Sequence, residues 1–148
     1  MKNNVRILMI DDDIEDQFLT KDVLRELNLE LIIDFISDST EVFNYLEAAV
    51  IKNALPSLIL LDKNLPAIAG LEILKQIKQH DSYKIIPVVV ISGSGFPEEI
   101  AEFYANGAAS FITKPSTGQL TTEKIAGFMN YWLNVCDLPS NANIPSNI

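Results

Sequence analysis

The chain has 148 residues, 48% of them hydrophobic, which suits one packed domain and excludes a disordered chain. A net charge of −9 with no basic cluster argues against nucleic acid as a direct ligand, and no apolar run approaches the roughly 18–20 residues that span a bilayer. A single cysteine excludes an internal disulfide and a cysteine-rich metal site; the short polar start, residues 1–6, has no signal-peptide core, and the expected compartment is the cytoplasm.

Val5 to Ile10 (VRILMI) is nearly all apolar and reads as a strand buried on both faces. Five acids then fall in six positions, Asp11 to Asp16. Asp16 to Asn28 has helical spacing, with Leu19, Val23 and Leu27 four apart and Asn28 as a C-cap. Leu31 to Ile36 reads as a strand and Ser39 to Val50 as a helix capped by Ser39 or Thr40. After Pro56, "SLILLD" (Ser57 to Asp62) is a third buried strand, and Leu71, Leu74 and Ile77 mark a helix ending near His80. Pro87 opens "PVVVIS", a β-branched strand ending at Ser92. Glu98 to Asn106 reads as a helix and Ala109 to Thr113 as a fifth strand. Ile125, Phe128, Met129, Trp132, Leu133 and Cys136 form the apolar stripe of a last helix. Strand and helix thus alternate five times, as in a parallel sheet covered on both faces. The domain is expected to cover 1–138, with 139–148 as a frayed tail.

Ligands of an open parallel sheet bind outside the carboxyl ends of its strands. Here those ends carry Asp11-Asp12, Asp62, Ser92 and Thr113-Lys114-Pro115. Carboxylates this close repel unless something compensates them. The excess acid is either a solvated surface or part of a cation site, and this convergence favours the second. All-oxygen ligation suits Mg²⁺. A metal, an ammonium and a hydroxyl together supply what a transferring phosphoryl group requires, and a carboxylate can accept that group as an acyl phosphate.

From Val5 to about Leu138 the chain resembles the receiver domain of two-component response regulators, on "ILMIDDD", "LILLDKNLPAIAGLEIL", "PVVVIS" and "SFITKP". The second is the most specific, with Asp62, Pro66 and Gly70 at the family's spacing. The resemblance implies a doubly wound (βα)5, flavodoxin-like parallel sheet of strand order 2-1-3-4-5. It implies Asp62 as acceptor of a phosphoryl group from a histidine kinase or phosphotransfer protein. It implies Mg²⁺ held by Asp11, Asp12, Asp62 and the backbone carbonyl of Asn64. Ser92 and Lys114 would bind phosphoryl oxygens, Ser92 and Phe111 would form the switch, and the Lys114–Pro115 peptide would be a candidate cis bond. The surface of helix four, strand five and helix five would respond. "NYWLNVCDLP" and "KIIPVVVIS" look like stand-alone receivers that partner phytochrome-type sensor kinases, which implies a homodimer through that face, no output domain and an unknown downstream partner.

Ser replaces the commoner Thr at 92, Phe the commoner Tyr at 111, and Ala69 stands where Asp or Asn often precedes the glycine. None of these removes a catalytic group. Asp13 is expected to be an N-cap or a surface residue in preference to a further ligand, and Glu15 and Asp16 are read as structural acids favouring the dipole of the first helix. Ser92-Gly93-Ser94-Gly95 reads as a mobile connection, His80 as a surface cap and Cys136 as core. Asp11-x-Asp13 also imitates the nucleophile and acid of haloacid-dehalogenase-type phosphatases, but without the usual Thr or a fourth acidic motif. A receiver-shaped module that is never phosphorylated is a third reading.

Overall fold

Apolar runs become strands wherever both faces of the chain are covered, and β3 (Leu58–Asp62) and β4 (Val88–Ser92) are buried at every position. With β1 (Arg6–Ile10), β2 (Ile32–Ile36) and β5 (Ser110–Thr113) they form one five-stranded sheet of order β2-β1-β3-β4-β5, parallel throughout. The computed structural model describes residues 5–27, 31–114 and 120–139. The expected cap Asn28, the Lys114–Pro115 peptide and the tail beyond 139 lie outside the described residues.

The helices are α1 (Ile14–Glu26), α2 (Val42–Ile51), α3 (Gly70–Gln79), α4 (Pro97–Ala105) and α5 (Thr122–Asn130). Side chains alternate across the sheet. Leu8, Ile10, Ile59 and Leu61 pack with Leu46, Ile73, Leu74 and Phe103 of α2, α3 and α4. Ile7, Met9, Leu58 and Leu60 pack with Val23, Leu24, Ile125 and Met129 of α1 and α5. The chain steps from β1 outward to β2, then across to β3, so the crossover leaves a crevice at the carboxyl ends of β1 and β3.

Three expected boundaries shift. The first helix starts at Ile14, before Asp16, because the Asp13 carboxylate accepts from the Glu15 N–H and Asp16 N–H and caps the helix there. Asp38, not Ser39 or Thr40, caps the 3₁₀ turn (Ser39–Glu41) that leads into α2. The Ser39 hydroxyl instead accepts from the Ile68 N–H at 2.8 Å. The last helix leaves α-geometry at Tyr131 and continues as a π-turn to Val135. Cys136, expected in the core, is half-buried, its Sγ 3.4 Å from the Trp132 carbonyl.

Candidate functional site

Register brings the strand ends level. Ile10 lies opposite Leu61, Asp62 opposite Ile91, and Ser92 opposite Thr113. Pairing runs past the strands: the Asp11 N–H donates to the Ile36 carbonyl, the Lys63 N–H to Ile91 and the Lys114 N–H to Ser92. Gly70 closes the turn after β3. A Cβ there would lie 2.7 Å from the Asp62 carbonyl oxygen and 2.8 Å from Lys63 Cα, so only glycine lets α3 begin this close to the turn.

The sheet edge brings Asp11, Asp12, Asp62, Ser92 and Lys114 together. One carboxylate oxygen from each of Asp11, Asp12 and Asp62 lies within 4.8 Å of the others. Asp11 and Asp62 are buried and Asp12 is exposed. Asp11 Oδ1 accepts from the Asp13 N–H at 2.8 Å, while Asp11 Oδ2 is buried with no hydrogen-bond partner among the described residues. An orphaned carboxylate oxygen beside two further carboxylates fits a hard divalent cation. Asp62 Oδ1 accepts from the Asn64 N–H at 3.0 Å.

Burial raises the Asp11 pKa to about 8, with the neighbouring Asp62 adding to the rise. Asp62 is also raised, again mainly by burial, although the Asn64 N–H and Lys114 oppose the shift. Burial by itself would lower the Lys114 pKa. The carboxylates of Asp16, Asp11 and Asp62 outweigh it and hold the ammonium above its ordinary value.

Ser92 is fully buried; its hydroxyl donates to the Ser94 carbonyl at 2.7 Å and accepts from the Ser94 N–H at 3.1 Å. Lys114 Nζ lies 3.9 Å from Asp62 Oδ2 and 2.7 Å from Asp16 Oδ2. Phe111 is half-buried, its ring 5.5 Å from that of Phe103 in an edge-to-face pair. The loop after Ser92 is not built on unusual backbone angles: Gly107 is the only glycine with positive φ among the described residues. Gly95 instead makes room, since a Cβ there would come within 2.4 Å of Thr113 Oγ1.

Three residues of this region were not expected from the sequence. Asp16 stands in the first turn of α1, as expected, but is also buried beside Lys114. Gln17 Nε2 donates to the Asp11 carbonyl at 2.6 Å and to the Ser37 hydroxyl at 3.0 Å, fixing the turn after β1. Lys63 Nζ bridges the Ser94 hydroxyl and the Glu99 carboxylate of α4. The signal for Asp16 was its place on the buried stripe of α1, with Thr20, Val23 and Leu24. Asp13 is engaged as the helix cap and is not among the three clustered carboxylates, which argues against a phosphatase of the dehalogenase type.

Residues 7–126 match the family model of the response regulator receiver domain. The chain is 29% identical over 136 residues to the response regulator Rcp1 of Synechocystis, covering 90% of this chain and 92% of that one. It is 26% identical over 121 residues to the chemotaxis protein CheY1 of Helicobacter pylori, covering 82% and 94%. The structure of the phosphorylated cyanobacterial phytochrome response regulator RcpA superposes with a TM-score of 0.84 at 30% identity, covering 93% and 99%. The Mn²⁺-bound form of Rcp1 superposes with a TM-score of 0.82 at 29% identity, covering 92% and 99%.

Proposed function

The chain belongs to the response regulator receiver domain family, and on that premise we propose that it is a relay protein of two-component signalling that accepts a phosphoryl group on Asp62. The observation that carries the assignment is the acceptor's setting. Asp62 is 5% exposed, shares a pocket with two other carboxylates, and has the Lys114 ammonium 3.9 Å away. The donor is a phosphohistidine of a histidine kinase or phosphotransfer protein, and a phytochrome-type kinase is supported by the likeness to Rcp1 and RcpA. Such donors act in the cytoplasm, and the reading places this chain there.

A carboxylate oxygen of Asp62 attacks phosphorus in line. The P–O bond forms as the P–N bond breaks, and the electron pair stays on the imidazole nitrogen. Asp62 becomes an acyl phosphate, and attack of water on phosphorus later restores the carboxylate and releases inorganic phosphate. Asp11, Asp12, Asp62 and the Asn64 carbonyl are the residues that would hold Mg²⁺, which supplies neutralisation of the developing charge when bound. Lys114 pairs with one phosphoryl oxygen. The Ser92 hydroxyl donates to another, and to do so it must leave the Ser94 carbonyl. Ser94 is tied through Lys63 to Glu99, so that exchange reaches α4. Phe111 packs against Phe103 of the same helix and reports the change on the α4–β5–α5 face. Tyr104 of α4 is exposed, as are Tyr131 and Val135 of the π-turn that continues α5, and they support a homodimer through that face, which light scattering with and without phosphoryl transfer tests.

The test of the acceptor is intact-protein mass after acetyl phosphate and Mg²⁺, for wild type and Asp62→Asn, with a metal-free control. One labile phosphoryl adduct that needs both Mg²⁺ and Asp62 is expected. An adduct that survives Asp62→Asn overturns the assignment.

A further inference from the structure

Asp16 has no part in the chemistry proposed for Asp62, yet it is the best-buried carboxylate beside Asp11, with 1% of its surface exposed. It lies on the core-facing stripe of α1, one turn before Thr20 and two before Val23 and Leu24. An ionised carboxylate in such a place is costly unless a cation and hydrogen bonds compensate it. Both are present. Asp16 Oδ2 lies 2.7 Å from Lys114 Nζ, and Asp16 Oδ1 accepts from the Leu120 N–H at 3.1 Å. The Leu120 amide stands just before Thr121, the residue that caps α5. One carboxylate therefore touches the site's ammonium and the entrance of α5.

Two carboxylates lie within 4.0 Å of the Lys114 ammonium, Asp16 at 2.7 Å and Asp62 at 3.9 Å. At the longer distance it makes no hydrogen bond to Asp62. The pairing with Asp16 is an ion contact without good hydrogen-bond angles, since Asp16 Oδ2 has no hydrogen-bond partner among the described residues. Such a contact can be exchanged for a better one. A phosphoryl group brings a charge of roughly −2 and three strong acceptor oxygens.

We infer that Asp16 is a positioning residue that holds Lys114 away from Asp62 in the resting protein and passes its departure to the start of α5 through the Leu120 amide. Phosphoryl binding draws the ammonium toward Asp62 and leaves the Asp16 carboxylate with the Leu120 N–H as its remaining partner among the described residues. The phosphoryl state must overcome the Asp16 contact, so Asp16 weakens the site's hold on phosphoryl. The inference rests on Asp62 being the acceptor and adds a resting-state competitor to that reading.

The experiment is titration of the full chain with beryllofluoride and Mg²⁺, followed by ¹⁹F resonance, for wild type, Asp16→Asn, Lys114→Met and the double variant. Asn keeps the shape and an oxygen for the Leu120 N–H but removes the charge. The expected result is about fivefold to tenfold tighter binding by Asp16→Asn in the Lys114 background, with no change from the same substitution in the Lys114→Met background. A merely structural Asp16 would alter both backgrounds alike. In parallel, the Leu120 amide resonance is expected to shift on beryllofluoride addition in wild type and to shift less in Asp16→Asn. Unchanged or weaker binding by a folded Asp16→Asn overturns the inference while leaving the acceptor in place. If Asp16→Asn does not fold, the Leu120 resonance of wild type decides: no shift at saturation overturns it. Failure of wild type to bind beryllofluoride overturns both readings together.

Discussion

Tyr104 of α4 and Phe111 of β5 are joined by a hydrogen bond from the Phe111 backbone N–H to the Tyr104 phenol oxygen, 3.1 Å long. β5 is an edge strand, and that N–H faces away from β4. The phenol therefore covers an amide that would otherwise be open to water or to another strand. Together with the edge-to-face contact between Phe111 and Phe103, it fastens the expected switch position to α4 twice, through backbone and ring. Phe111 itself has no hydroxyl to report a movement, and Tyr104 supplies one from the neighbouring helix.

Tyr104→Phe removes the backbone contact and leaves the ring. Tyr104 is 47% exposed, so water can replace the lost partner, and the expected cost in stability is small, about 0.5–1 kcal/mol. Hydrogen exchange at the Phe111 amide should accelerate, while labelling at Asp62 stays at the wild-type level. An unchanged exchange rate at Phe111 shows that the phenol does not protect this edge.

Gly70→Ala places a methyl group within 2.7 Å of the Asp62 carbonyl, 2.8 Å of Lys63 Cα and 2.9 Å of the Lys63 carbonyl. All three are backbone atoms, so no rotamer change relieves the clash. The expected loss is about 1–3 kcal/mol in denaturant unfolding. The atoms displaced belong to the turn that carries Asp62, the proposed acceptor, so acetyl phosphate labelling should fall even where the variant is folded. Full labelling together with wild-type stability would show that the turn yields without disturbing Asp62.

The strands and their endpoints were legible because a strand buried on both faces reads as an unbroken apolar run, and the first polar residue after it marks the sheet edge. Asp11, Asp62, Ser92 and Lys114 were located in that way, and the sheet brings them together. Asp16, Gln17 and Lys63 were not, because their roles depend on tertiary neighbours. Asp16 meets an amide 104 positions later, and Lys63 meets Glu99, 36 positions later. The acid at 16 satisfied the helix-dipole expectation equally well, and only its phase relative to Thr20 and Val23 set it apart. The end of the last helix was obscured for a different reason: apolar spacing does not distinguish α-closure from the wider π-turn over Tyr131–Val135.

Lys63→Met cuts the link between the Ser94 hydroxyl and Glu99 while keeping an unbranched side chain. The ion pair is partly exposed, so its loss should cost no more than about 1 kcal/mol. Exchange protection should fall in α4 and not in α1, and Mg²⁺ affinity should stay within a factor of about two, since the Lys63 ammonium is engaged by Ser94 and Glu99, which lie outside the cluster of Asp11, Asp12 and Asp62. Equal loss of protection in both helices would mean that the substitution loosens the whole domain and that Lys63 is no local tie.

Removing the metal should reverse the pH dependence of stability at this site. Without a cation, burial and the neighbouring Asp62 push the Asp11 pKa up to about 8, from an ordinary value of 3.8. Between those values the folded state keeps a proton that the unfolded chain has released. Stability of the metal-free protein must therefore fall as pH rises through this window, by up to about 1.4 kcal/mol per pH unit for one such group, and level off above it. Asp62, also raised, acts in the same direction. Asp38 is lowered by its hydrogen bonds with Thr40, so its contribution is lost only as pH falls below the ordinary carboxylate range. Lys114 is raised, and its contribution is lost only as pH climbs above 10.5. Neither masks the window. Mg²⁺ held by these residues would need the carboxylates ionised, so the stabilisation it confers should grow across the same interval. Thermal melts with chelator and with Mg²⁺, between about pH 5 and pH 8, measure both slopes. Chelated stability that stays flat or rises would mean that Asp11 is already ionised without a cation, and that the orphaned Asp11 Oδ2 has another source of compensation.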